Sequence, residues 1–191
     1  MTPGTIPTFR AKVANSGGGA TPPSTQQYNK TFAIANGLDD GYYQVNNSNT
    51  GSMLYQGLYG GSFEIAFFRF GEVTVPKGAT VNAATLQLSA QFVSGGNNSG
   101  VWRGAAVDNV EAAPARPDQF ATTNANVPVT RSVGIIEHNV RAIIQEIVSR
   151  SGWASGNGLC FVGDSTIATG DTAFAAVEGS YMSKLTVTYT V

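Results

Sequence analysis

The groups able to do acid–base, nucleophilic or metal chemistry are few in this sequence, and they are scattered. His138 is the only histidine and Cys160 the only cysteine. One imidazole cannot build a multi-histidine metal site, and Glu137 and Asn139 beside it place it just before a helical pattern, where a turn or capping role is expected. Cys160 lies between Leu159 and Phe161. That apolar context predicts a buried, unreactive thiol, and a lone cysteine leaves no internal disulfide. The carboxylates offer one adjacent pair, Asp39-Asp40, and the isolated Asp108, Asp118, Asp164 and Asp171. Neighbours in an extended segment point to opposite faces, so Asp39 and Asp40 do not make the facing acid and nucleophile of a glycosidase. Calcium is the one metal these loops could hold, through Asp39, Asp40 and Asp164, but no calcium-loop spacing is present. No cofactor and no catalytic residue are expected.

The remaining chemistry is contact chemistry. Tyr42, Tyr43, Tyr55, Tyr59 and Trp102 lie near loops and are the candidates for stacking on a sugar ring or packing against a protein partner. Only 12% of the residues are charged, with 11 basic against 12 acidic side chains. That balance gives no field to attract nucleic acid or an anionic membrane, and the glycine run at 17–19 lacks the strand, lysine and helix of a phosphate loop. The N-terminus has neither a basic start nor an apolar run, so no secretory signal is expected, and no stretch is long enough to span a bilayer.

The elements that position these groups are mostly strands. In residues 139–150, Val140, Ile143, Ile144, Ile147 and Val148 recur at helical spacing, which predicts one amphipathic helix with Arg141, Gln145, Glu146 and Ser149 on its wet side and Gly152 as a left-handed stop. Around it the period is two. Phe63, Ile65 and Phe67 alternate, with Phe68 and Phe70 on the opposite face; Leu86, Leu88, Ala90 and Phe92 form one buried row, and Leu185, Val187, Tyr189 and Val191 another. Residues 114–126 read as irregular, and 127–130 as the extended lead into the helix. Strands about ten residues apart with glycine-bearing turns predict an all-β antiparallel sandwich, with a jelly roll as the preferred topology. Residues 28–191 form that domain. Residues 1–27, broken by prolines and glycines, form an extended arm in which Phe9, Arg10 and Val13 belong to a short segment able to pair with a sheet edge.

Four pieces together, residues 68–81, 84–89, 144–159 and 184–189, resemble a recurrent β-sandwich module of secreted bacterial proteins and phage structural proteins. The secreted members, of DNRLRE type and carbohydrate-binding type, imply attachment to polysaccharide or surface proteins, although the namesake motif is missing here. The resemblance, the arm and the neutral surface lead to the expectation of a non-enzymatic virion component. Its form would be a capsid decoration or cement protein, with the major capsid protein or other virion proteins as partners and a homo-oligomer such as a trimer as its assembly. The alternative is a carbohydrate-binding or adhesion module, in a tail fibre or at a cell surface.

Overall fold

The structure, a computed structural model, describes residues 25–44, 47–49, 53–114, 116–177 and 181–191. Phe9, Arg10 and Val13 of the arm lie outside the described residues. In chain order the strands are β1 (Gln27–Ala33), β2 (Asp40–Gln44), β3 (Asn47–Asn49), β4 (Met53–Tyr59), β5 (Ser62–Phe70), β6 (Thr80–Gly95), β7 (Val101–Ala105), β8 (Thr122–Pro128) and β9 (Gly134–Asn139). The helix α1 (Arg141–Val148) follows, then β10 (Leu159–Asp164), β11 (Gly170–Ala175) and β12 (Lys184–Thr190). The fold is therefore mostly β with a single α-helix among the described residues, as the periodicity predicts, and one 3-10 turn at Pro117–Gln119. Its main path runs β1-β12-β6-β11-β4-β5-β10-β7-β8, with β2 and β3 branching from β5 and β9 from β6. Every pairing is antiparallel, and the sheet curls into a half-barrel compatible with a sandwich.

The curl closes on an apolar interior. Phe68, Trp102 and Phe174 are fully buried, with ring centroids 5.6 to 6.1 Å apart, and Leu86, Leu88, Leu185 and Val187 complete the layer. β5 feeds both of its faces, since Phe68 and Phe70 enter this core while Phe67 joins a smaller cluster with Tyr43, Cys160 and Val162. A strand covered on both sides reads as a continuous apolar run, which is what residues 65–68 show. Burial pushes the Cys160 thiol well above its ordinary value, so it stays protonated, as its context predicts.

β6 corrects one expectation. Leu86, Leu88 and Ala90 are buried as read, but Phe92 is 48% exposed. Ala173 pairs with Phe92 and Phe174 with Ala90, so Gln91 is the extra residue of a β-bulge that resets the phase. A second bulge falls at Asn82, where Thr188 pairs with Ala83 and Tyr189 with Val81.

α1 is shorter than its pattern. Ile143, Ile144, Ile147 and Val148 are buried, each contributing about 1.5–3 kcal/mol by leaving water. Its N-cap residue, Val140, offers no side-chain cap, but Asn139 Oδ1 accepts the Arg141 N–H at 3.2 Å. His138 does not cap it; the residue lies within β9, 2% exposed, where its Nε2 accepts the Thr130 N–H at 3.1 Å and its ring stands edge-on to Trp102. Gly152 is no left-handed stop either, being absent from the residues with positive φ. A Cβ there would collide with the Asp108 carboxylate, so close approach explains the glycine. The predicted wet side is also structural. Gln145 accepts the Val81 N–H at 2.8 Å and donates to the Ala79 carbonyl at 3.1 Å, while Arg141 Nε donates to the Val81 carbonyl at 2.8 Å.

Candidate functional site

Two edge strands flank the helix and differ in how they meet solvent. β8 pairs only with β7, and its outer amides are met by α1: the two oxygens of Glu146 accept the N–H groups of Asn124 and Ala125, each at 2.9 Å. β9 pairs only with β6, and beside it Val133, Ile135 and Tyr181 are 64%, 55% and 53% exposed. Val133, Ile135 and Tyr181 line one shallow hollow of about 230 Å³ with Ser89 and Gln91. An unpaired edge bordered by contiguous apolar side chains is a surface that main-chain hydrogen bonds and burial can both use.

A second hollow, of about 280 Å³, opens on the outer face of β5 and β10. Phe63, Ile65, Phe120 and Val162 form its apolar lining, and Arg103, Asp118, Thr122, Asp164 and Thr166 supply its polar part. Arg103 Nε donates to Asp164 at 3.1 Å, and Thr166 donates to the same carboxylate through N–H and Oγ1. These hydrogen bonds hold the Asp164 pKa below its ordinary value, although burial opposes them with the largest single influence. Its charges are balanced within the rim, since Asp118 is bound by both Nε and Nη2 of Arg116.

Between the two hollows the sheet forks. β5 pairs with β4 over Ser62–Glu64 and with β10 over Phe67–Phe70, and the gap is bridged by side chains. Gln56 Oε1 accepts the Ala66 N–H at 2.9 Å, and its Nε2 donates to Ser165 Oγ and to the Ser99 carbonyl. Ser165 Oγ in turn donates to the Glu64 carbonyl at 2.6 Å. Gln56 is wholly buried and Glu64 is 5% exposed. Buried backbone groups left by a splitting sheet need partners, and these side chains provide them. Gly163 belongs to this arrangement, because a Cβ there would overlap the Gln56 amide.

The residues read as candidates from sequence separate into different settings. Trp102 is fully buried in the core, so it offers no platform to a ligand, and Tyr43 is 7% exposed beneath the Arg116 guanidinium at 5.1 Å. Tyr42 and Tyr55 are half-buried and meet edge-on at 5.3 Å. Tyr59 is 60% exposed at the Gly60-Gly61 turn, where both glycines have positive φ. The aspartates do not converge. Asp39 is buried against Arg69 at 2.9 Å and accepts the Ala113 N–H, Asp40 accepts the Val177 N–H, and Asp164 serves Arg103. Among the described residues no three of His, Cys, Asp and Glu are grouped to hold a metal ion, and no helix is long and apolar enough to cross a membrane.

Sequence reading missed Val133, Ile135 and Tyr181 at the edge, Phe63, Ile65 and Phe120 as a lining, and Gln56 with Glu64 at the fork. One signal was available: in the adjacent Ile135-Ile136 pair of a strand, one side chain faces outward. The fold and these surfaces define a mostly-β protein built on a curled antiparallel sheet. No protein-family model matches the chain, and no curated protein matches it in sequence.

Proposed function

We propose that the chain is a non-enzymatic virion structural protein, a capsid decoration or cement protein that attaches to an assembled shell through the β9 edge. The observation that carries this reading is the exposed apolar group Val133, Ile135 and Tyr181 beside a strand with one partner. The nearly neutral charge balance supports it, because a surface of 11 basic and 12 acidic groups suits burial against protein more than steering to a polyanion. The resemblance of residues 68–81, 84–89, 144–159 and 184–189 to sandwich modules of phage structural and secreted bacterial proteins points the same way. In this reading the partners are the major capsid protein or other virion proteins, the location is the virion, and the chain assembles as a homo-oligomer such as a trimer. It needs no cofactor. Purified particles analysed by mass spectrometry should contain this chain at fixed stoichiometry to the shell protein; its absence from them ends the proposal.

A second reading, a carbohydrate-binding or adhesion module, is favoured by the hollow on β5 and β10. Its apolar lining with an aromatic Phe63 and Phe120, and its charge-balanced polar groups, suit the C–H face and hydroxyls of a neutral sugar. Saturation-transfer NMR against neutral mono- and oligosaccharides tests it, with loss of the signal in Phe120→Ala as the expected control.

A further inference from the structure

We propose that Glu64 and Asp171 form a proton-dependent joint, closed when Glu64 carries a proton and loosened when it ionises, that sets how firmly the β2–β3 hairpin is held against β4. The joint belongs to the folded chain itself and does not depend on the identity of its partner.

Its geometry comes from register. Gly57 of β4 lies opposite Glu64 of β5 on one side and Asp171 of β11 on the other, so the two carboxyl residues flank a position without a side chain. Both are buried, at 5% and 2% exposure. Glu64 Oε2 has no hydrogen-bond partner, whereas Asp171 Oδ1 accepts from Ser94 Oγ at 2.5 Å. The hairpin meets the same place, since Gln44 of β2 pairs with Glu64, and Tyr42 of β2 packs edge-on against Tyr55 of β4. The groups facing Glu64 are thus Tyr42 from β2, Tyr55 from β4 and Asp171 from β11. Arg131, which reaches the Asp171 carbonyl, spends its hydrogen bonds there, on the Ser94 carbonyl and on the hydroxyl of Ser99.

An ionised Glu64 would leave a buried oxygen without a donor, with a second carboxyl residue across Gly57. Burial, and then the charge of Asp171, accordingly raise its pKa from 4.5 to about 7. The linkage follows in sign. A raised carboxyl pKa means that the folded state holds the proton longer than the unfolded state, so stability is greatest below about 4.5 and is lost as pH rises through about 7. His138 works in the opposite sense: burial lowers its pKa from 6.5 to about 4, the Leu86 backbone offsetting part of that, so stability grows as pH rises from about 4 to 6.5. The two slopes nearly cancel between about 4.5 and 6.5; above that window only the loss from Glu64 remains, and it levels off once the pH passes about 7.

The test is thermal melting of the full chain from pH 4.5 to 8, with hydrogen exchange of β2 amides corrected for intrinsic rate. Wild type should melt at a nearly constant temperature up to about pH 6.5 and lower beyond it. Glu64→Gln should instead gain melting temperature between pH 4.5 and 6.5, the His138 slope being unmasked, and should show no fall above. In wild type, β2 amides should lose protection relative to β6 amides by up to about tenfold per pH unit between about 4.5 and 7 and level off above, and in Glu64→Gln they should not. Asp171→Asn removes the repelling charge and should move the fall to lower pH; if Glu64→Gln does not fold, that displacement decides alone. The proposal is overturned if Glu64→Gln keeps the wild-type profile, if Asp171→Asn leaves the fall where it was, or if relative β2 protection is independent of pH.

Discussion

β8 and β9 are both edge strands with a single neighbour, yet the molecule treats them in opposite ways. At β8 a carboxylate from the helix occupies two outer amides, and the outward side chains Thr122, Asn124 and Asn126 are polar. At β9 the flanking side chains Val133, Ile135 and Tyr181 are apolar and more than half exposed. β1 is a third case, carrying exposed Asn29, Lys30 and Thr31 along its edge. Polar and charged side chains and covering groups are the ordinary means of keeping an edge from recruiting another chain. The same fold applies such means at β8 and β1, and at the helix end of β9 through exposed Glu137 and Asn139, but not at its Val133–Ile135 end, which is where we propose that a partner sits.

This contrast can be broken or sharpened by substitution. The largest effect belongs to the fork between the two hollows, where side chains also stand in for a missing strand. Gln56→Leu removes the partner of the Ala66 N–H and of Ser165, and should cost about 2–4 kcal/mol in denaturant unfolding. Ile135→Lys comes next. It should weaken attachment to assembled shells by about 10- to 100-fold, the equivalent of burying one isoleucine, while stability stays within about 0.5 kcal/mol. Glu146→Ala strips β8 of its cover and should cost about 1–2 kcal/mol, with the Asn124 and Ala125 amides exchanging at least about tenfold faster. The smallest effect is that of Phe63→Ala, which should change shell attachment less than about twofold. A loss there larger than that of Ile135→Lys would reverse the assignment of the two surfaces.

How much of this was legible in the sequence depends on whether alternation or hydrogen bonding decides a position. Leu185, Val187 and Tyr189, or Ile143 and Ile147, declare their burial through period alone. Phe92 does not, because a single bulged residue, Gln91, turns it outward without leaving any mark in the pattern. β11 escaped for a related reason: all six of its residues are buried, including Asp171 and Thr172, so it has neither alternation nor an apolar run. β9 was hidden by proximity, since Glu137, His138 and Asn139 read as the entry to a helix when they are in fact the end of a strand. The fork was the least visible. Gln56 and Glu64 look like surface residues until the partner exchange of β5 buries them, and no local property of either residue announces that event.

The most direct measurement of the central claim is hydrogen exchange on the chain free and bound to assembled shells. If β9 is the attachment edge, amides of Gly134–Asn139 become protected on binding, while those of residues 162–166 in the cleft keep their free rates. Protection confined to 162–166, or an unchanged β9, would contradict it.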